Sequence, residues 1–258
     1  MVEFASKVVL VTGAASGVGA GTAKAFAKHG TRLCLVDRDE ENLAKTETEC
    51  KNVGAEKVLA IVADLTKDED LKRVMQKTIE EFSELNILLN IAGICLNAPI
   101  EIASFKDFDD TYNINVRAPL FLTQLAIPFL EKTKGSIVNI SSIASKEYAD
   151  ASQMIYCMSK SSVDHFTKIA ALELAKKGIR INAVNPAFMK TNIFQSWLNS
   201  AEDAEELVQG RAKLVPLGRK NVKVDDVINA IMFLASDRAK MITGTCLFVD
   251  GARHLTGI

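Results

Sequence analysis

The sequence predicts an α/β fold: a doubly wound, seven-stranded parallel sheet with helices on both faces. Three observations lead there. Short apolar, β-branched runs recur at 7–12, 32–36, 57–62, 86–90, 136–140, 179–184 and 246–249. Stretches with helical periodicity separate them, near 17–29, 40–53, 67–82, 107–132, 155–176 and 224–236. The strand runs are apolar rather than alternating, as strands buried on both faces are. Such alternation of strand and helix joins neighbouring strands by right-handed crossovers. No repeat, low-complexity stretch or linker interrupts the 258 residues, so one domain spanning 1–258 is expected.

The first strand, KVVLVT, runs into Gly13-Ala14-Ala15-Ser16-Gly17-Val18-Gly19, and the helical stretch AGTAKAFAKHG follows, stopped by Gly30. Strand, glycine turn and helix N-terminus make a site for a pyrophosphate. Backbone N–H groups and the helix dipole face the anion, and side chains are absent where it must approach. The second strand, TRLCLV, ends at Asp37, roughly 20 residues past the glycines, where an acid binds a ribose 2′-hydroxyl. A carboxylate there repels a 2′-phosphate, and Ser16 stands where the glycine turn could carry a base. Both favour NAD over NADP. Arg38 opposes them, because a guanidinium can hold a phosphate.

Further along, Pro119 and Pro128 fall in the long fourth helix and are candidate kinks. Tyr156 and Lys160, in IYCMSK, are four residues apart. That is one helical turn, so both leave the same face. An ammonium beside a phenol favours phenolate and draws its pKa from about 10 toward neutrality. Such a phenol can exchange a proton with a carbonyl or alcohol oxygen near pH 7. The segment 187–215 breaks the strand–helix rhythm beside the carboxyl ends of the strands, where these folds bind ligands, and is expected to be a mobile lid.

Together these features resemble the classical short-chain dehydrogenase/reductase family over essentially the whole chain. The resemblance implies a single Rossmann-type domain and assigns the following roles. Residues 12–19 are the cofactor loop. Asp64 and Leu65 follow the third strand, where the family's Asp holds the adenine. Asn90, Ile91, Ala92 and Gly93 end the fourth strand. Asn115 in NINVRAP, Ser142 in IVNISS, Tyr156 and Lys160 match the family's catalytic residues. Asn185 and Pro186, through Met189 to Thr191, match its nicotinamide segment. The resemblance further implies that Thr191 and the backbone near Met189 hold the carboxamide. Lys160 holds the nicotinamide ribose, Ser142 donates to the substrate oxygen, and Asn115 holds a water that links the lysine to solvent. Tyr156 is then the acid or base. Ser141 competes with Ser142, but alternate residues at a strand end face opposite sides, so Ser141 points away.

The chain departs from the family pattern in places. Ile91 replaces an Asn, Ala187 replaces a Gly, and Ala252 ends Asp250-Gly251-Ala252. Ser142 stands fourteen residues before Tyr156, one more than is common, and the loop SKEYADASQM is expected to absorb the extra residue.

Composition excludes other classes. The net charge is −1 and basic residues are scattered, which gives no footprint for nucleic acid or a membrane surface. No run approaches about 18 apolar residues, and the N-terminus does not read as a signal or transit peptide, so a cytoplasmic enzyme is expected. Five cysteines, an odd number, argue against a disulfide framework. Cys34 and Cys246 read as core, Cys50 as part of a polar helix, and Cys95 and Cys157 as neighbours of the site. His29, His165 and His254 share no ligand spacing, so no metal is expected.

The leading expectation is an NAD-dependent oxidoreductase acting on a small-molecule alcohol or ketone. A bulky apolar secondary alcohol is favoured, because the lid carries Phe188, Ile193, Phe194, Trp197 and Leu198, with Leu96 and Met154 opposite. The alternatives are an NADPH-dependent 3-oxoacyl (acyl carrier protein) reductase and a non-catalytic nucleotide-sensing protein of the same fold. For the carrier-protein alternative, Lys190, Arg211 and Lys213 are only a thin basic patch. A homotetramer is expected, because the fourth and fifth helices carry Phe121, Leu122, Leu125, Phe129, Phe166, Ile169, Leu172 and Leu174 on more than one face.

Overall fold

A computed structural model describes residues 4–146, 151–189, 193, 201–218 and 220–256. Its strands are β1 (Val8–Thr12), β2 (Arg32–Asp37), β3 (Lys57–Val62), β4 (Ile87–Asn90), β5 (Ser136–Ile140), β6 (Arg180–Pro186) and β7 (Cys246–Val249). They form one sheet in the order β3-β2-β1-β4-β5-β6-β7, every pair parallel. The helices are α1 (Gly17–Ala27), α2 (Glu40–Asn52), α3 (Asp68–Phe82), α4 (Phe105–Tyr112), α5 (Ala118–Thr133), α6 (Met154–Leu174), α7 (Ala201–Lys213) and α8 (Val224–Ala235). Among the described residues, no helix is long and apolar enough to cross a membrane.

The period-two geometry of β1 divides the core. Val8 and Leu10 join one buried cluster with Leu71, Val74 and Met75 of α3, Leu122 and Leu130 of α5, and Leu174 of α6. Val9 and Val11 join a second cluster with Phe26 of α1, Leu43 of α2, and Val227 and Ile231 of α8. Both faces are therefore apolar, which is why the strands do not alternate in sequence. The strand order turns at β1, which pairs β2 on one side and β4 on the other, with Val9 opposite Leu33 and Ile87. Crossovers leave in opposite directions from this point and open a crevice at the carboxyl ends of the strands.

The expected fourth helix is not one piece. A π-helical turn, Asn113–Arg117, separates α4 from α5, and the Ala118 N–H bonds the Asn113 carbonyl five residues back. Pro119 contributes to the break: it has no N–H to offer the Asn115 carbonyl, as an α-helix requires. Pro128 lies inside α5 without ending it. The segment 187–215, which read as irregular, contains α7.

Eight apolar residues pointed to an interface, and the fold divides them. Leu122 and Leu174 are core, and Leu125, Phe129 and Phe166 pack half-buried against it. Phe121, Ile169 and Leu172 stay exposed, together with Ile100, Ile102 and Phe105.

Candidate active site

The crevice is a cavity of about 550 Å³, within the range of small-molecule sites. Its walls bring together Gly13, Ser16, Gly17, Val18, Gly19, Asp37, Asp64 and Leu65 at one end, and Ser142, Tyr156, Lys160, Pro186 and Met189 at the other. Ala92 and Gly93 join them between the two ends. Asn90 and Asn115 lie behind this lining, both buried. Thr191, Lys190, Phe194, Trp197 and Leu198 fall outside the described residues.

The glycines are required by close approach. Gly13 has φ +69°, and a Cβ there would sit 2.9 Å from backbone atoms of Ala92. A Cβ on Gly19 would sit 1.9 Å from the Gly13 carbonyl oxygen. Thr12, which sequence reading placed in the loop without a role, ties β1 to the end of β4. Its Oγ1 accepts from the N–H groups of Ile91 (3.0 Å) and Ala92 (3.2 Å) and donates to the Leu89 carbonyl (3.3 Å). At the start of α1, Ser16 makes no side-chain cap and the first turn carries no acid. The helix N-terminus is thus left to an anion.

Asp37 is held from two sides, by the Ala15 N–H (3.0 Å) and the Asp39 N–H (3.1 Å). Asp39 caps α2, accepting from the Asn42 N–H at 3.1 Å. Asp64 accepts from the Thr66 N–H (3.0 Å) and hydroxyl (2.8 Å). Burial pushes its carboxyl up, but these bonds and the nearby Lys67 and Arg38 outweigh that and leave it below its ordinary range. A cradle that any Cβ would fill, an uncapped helix start and a fixed carboxylate fit a dinucleotide.

At the other end, α6 carries Tyr156 and Lys160 on one face, both buried. The Tyr156 phenol is hydrogen-bonded with the Ser142 hydroxyl. The Lys160 ammonium donates to the Ile140 carbonyl at 2.8 Å and lies 5.6 Å from the Tyr156 ring centre. Ser141 also lines the cavity, but its hydroxyl is engaged elsewhere, donating to the Lys160 carbonyl at 3.1 Å. The expected depression of the phenol is not found. Burial pushes Tyr156 above its ordinary value, and the bond from Ser142 only partly offsets it. Burial also pulls Lys160 down to about 8, against the pull of Cys95 and Asp164. Desolvation disfavours the charged form of both groups, so each drifts toward neutrality.

Asn115 is buried in the π turn. Its Oδ1 accepts from the Ile94 N–H (2.9 Å), and its Nδ2 donates to the Ile94 carbonyl (2.9 Å) and to Ser159 Oγ (3.0 Å). Both amide hydrogens are committed, so the side chain has none for a water. A Cβ on Gly93 would lie 3.2 Å from Asn115 Oδ1 and 3.5 Å from Lys160 Nζ, which places all three side by side. Asn90 Nδ2 donates to Asn139 Oδ1 (2.9 Å), and Asn139 Nδ2 donates to Thr167 Oγ1 (2.9 Å), a buried polar chain from β4 to α6.

The remaining wall is mostly apolar: Ile94, Leu96, Ile143, Phe188, Ile193 and Leu207. Leu207 and Arg211 stand one turn apart on α7, and Arg211 with Gln153 adds polar groups that the sequence had not placed in the cavity. Met154, expected on this wall, does not line it. Cys95 and Cys157 line the cavity, and no disulfide joins any of the five cysteines. Cys50 is buried under α2, and burial pushes its thiol up to about 12. Among the described residues, no His, Cys, Asp and Glu side chains cluster as a metal site.

Residues 13–254 match the family model described as Enoyl-(Acyl carrier protein) reductase. The chain is 35% identical to the 3-oxoacyl-[acyl-carrier-protein] reductase of Thermotoga maritima, across 95% of this chain and 96% of that protein. It is 34% identical to (+)-borneol dehydrogenase 2 of Salvia officinalis, across 95% of this chain and 88% of the relative. Among solved structures, it superposes with a TM-score of 0.86 on the 3-ketoacyl-(acyl-carrier-protein) reductase from Brucella melitensis complexed with NADH. That likeness is 31% identical and covers 97% of this chain and 99% of the other.

The depressed lysine has a measurable consequence in the cofactor-free protein. Its pKa is about 8 folded, against an ordinary 10.5. Between those values the unfolded chain binds the proton and the folded chain does not, so stability rises with pH across this window. Toward lower pH that contribution is lost as the lysine charges at about 8. Denaturant unfolding of wild type and Lys160→Met should show wild type gaining on the variant across the window and running parallel outside it. A stability difference independent of pH would mean that the ammonium stays hydrated.

Proposed function

The chain belongs to the classical short-chain dehydrogenase/reductase family of oxidoreductases, and on that premise we propose that it is an NAD(H)-dependent enzyme acting on a bulky, apolar secondary alcohol or its ketone. One observation carries this reading: Ser142, Tyr156 and Lys160 converge on the same cavity as the glycine loop and Asp37. The nicotinamide cofactor supplies hydride exchange with the substrate carbon. The protein binds, orients and moves one proton.

In this reading the N–H groups at the start of α1 hold the pyrophosphate, and Asp64 and Leu65 border the adenine. Asn90, Ala92 and Gly93 shape the floor, while Pro186, Met189 and Thr191 hold the nicotinamide end. Ser142 donates to the substrate oxygen. Tyr156 gives its proton to that oxygen in reduction and takes it back in oxidation. Burial suits the first role, because it keeps the phenol protonated at neutral pH. The second needs positive charge nearby, which Lys160, the residue that would hold the nicotinamide ribose, would supply. The Asn115 carbonyl, lacking its helical donor at Pro119, is the group we assign to the water behind Lys160.

NAD is preferred over NADP because Asp37 is fixed by two backbone N–H groups and accepts from ribose hydroxyls. A 2′-phosphate would meet that carboxylate and the Asp39 carboxylate that caps α2. Arg38 also lines the cavity and is the feature there that favours a phosphate. The NADH complex of the Brucella melitensis relative supports the choice.

The apolar wall supports a steroid-like, terpenoid or alicyclic substrate, with α7 and the residues before it as a lid. The borneol dehydrogenase of Salvia officinalis is a relative of that chemical class. The second reading is an NADPH-dependent 3-oxoacyl reductase, favoured by the Thermotoga maritima relative. Against it stand Asp37 and the placement of Arg211, which lines the cavity rather than a surface patch for a carrier protein.

Tyr156→Phe should keep the fold and cofactor binding and lose roughly 10²–10⁴-fold in turnover, the usual worth of general acid–base catalysis. Assays with a panel of cyclic and linear secondary alcohols and their ketones read it. Turnover within about twofold of wild type would remove Tyr156 from the chemistry.

We also propose a homotetramer. Phe121 of α5 and Ile169 and Leu172 of α6 leave both helices with an uncovered apolar side, and such sides are buried by association. Light scattering at micromolar concentration should give four times the mass of the 28.1 kDa chain. A monomer would refute it.

A further inference from the structure

Asp164 is a buried carboxylate that the mechanism above does not use. It lies on α6 one turn beyond Lys160 and two beyond Tyr156, so the three side chains share one face of the helix. Both of its oxygens lie 3.0 Å from Asn185 Nδ2. Its Oδ2 also accepts from the Ser145 hydroxyl at 2.7 Å. The same Asn185 Nδ2 reaches back to the Ser142 carbonyl and to Ser145 Oγ, each at 3.1 Å. Ser142 and Ser145 bound a short 3-10 turn, closed by the Ala144 N–H on Ser142 Oγ at 3.1 Å and the Ser145 N–H on the Ser142 carbonyl at 3.1 Å.

One detail shows what the carboxylate does. Asn185 Oδ1 is buried with no hydrogen-bond partner. Leaving a buried amide oxygen unpaired is unfavourable, and rotating the amide by half a turn would exchange it with the nitrogen. The rotated amide is worse here. A carboxylate only accepts, so Oδ1 would face the Asp164 oxygens and the Ser142 carbonyl together. Asp164 therefore dictates that the Asn185 nitrogen points at Ser142.

We propose that Asp164 is a positioning residue: by fixing the Asn185 amide it clamps the 142–145 turn onto β6 and so sets where the Ser142 hydroxyl meets Tyr156 and the substrate oxygen. This rests on the role given to Ser142 in the proposed function. It extends the site by two residues that do not line the cavity, Asp164 on α6 and Asn185 on β6.

The test compares Asp164→Asn in two backgrounds. Asn keeps size and shape but presents one acceptor instead of two and adds a donor, so the Asn185 amide loses its single preferred orientation. Misplacing a reacting group by about 1 Å can cost on the order of 100-fold. Asp164→Asn should lower kcat by about ten- to a hundredfold, with the Kd of NADH near wild type. In a Ser142→Ala background the same change should cost less than about twofold, because the hydroxyl it positions is gone. Equal fold-losses in both backgrounds, or a loss carried by the NADH Kd, would make Asp164 merely structural and overturn the proposal. Amide exchange gives a readout independent of turnover: Ala144, Ser145 and Lys146 should exchange faster in Asp164→Asn than in wild type. Unchanged exchange would also overturn it. Wild-type protein that turns over no alcohol or ketone would sink the functional reading instead, and the exchange measurement would still decide the clamp. If Asp164→Asn does not fold, Ser145→Ala removes one donor to the carboxylate and is put through the same two backgrounds and the same exchange measurement, with the same outcomes deciding.

Discussion

The meeting of β1 and β4 at their carboxyl ends governs the rest of the site. Thr12 Oγ1 takes two backbone N–H groups from the turn after β4, and Gly13 lies against the Ala92 backbone with no room for a Cβ. Buried backbone N–H groups must be paired, at a cost of about 1–3 kcal/mol for each one left open. A single hydroxyl satisfies both here. It draws the two strands together at the point where the strand order turns, and it leaves the glycine loop facing the cavity. The start of α1, Asp37 at the end of β2 and Gly93 beside Lys160 take their places relative to that junction.

The opposite wall is organised by one face of α6. Tyr156, Lys160 and Asp164 follow one another at helical spacing, and all three are buried. Without a bound dinucleotide, desolvation acts on Tyr156 and Lys160 in the same direction, toward loss of charge. Lys160 meanwhile rests on the Ile140 carbonyl. The site therefore holds a neutral phenol as a ready acid, and the charge that would turn it into a base has to come from groups in the cavity. The Asp164–Asn185 clamp adds rigidity where the serine must meet the phenol.

Much of this was legible in the sequence, for reasons that differ by residue. The strand pattern was readable because both faces of the sheet are covered, so each strand is apolar throughout. Gly13 and Gly19 were readable because close backbone approach is a local steric demand, and Asp37 because it ends the strand beside them. Tyr156 and Lys160 came from their spacing of one helical turn, Ser142 and Asn115 from the family resemblance, and the fold brings all four together. Features that depend on distant contacts were not legible. The π turn arises where Pro119 withholds an N–H next to a buried Asn. Cys50 sits on a polar helix yet faces the core. The pKa direction of Tyr156 follows from burial, which spacing does not report, whereas the proximity of Lys160 does follow from spacing. Asp164 reads as an ordinary polar residue until β6 places Asn185 against it, and Arg211 enters the cavity only because α7 forms.

The central claim is that the crevice holds NAD(H) with its ribose hydroxyls on Asp37. Calorimetric titration of the wild-type protein and Asp37→Ser with NADH and with NADPH tests it most directly. The account predicts that wild type binds NADH more tightly. It also predicts that Asp37→Ser narrows or reverses the preference, because the substitution removes both an acceptor for the hydroxyls and a charge that repels phosphate. Tighter binding of NADPH by wild type, or a preference unchanged by Asp37→Ser, would contradict it.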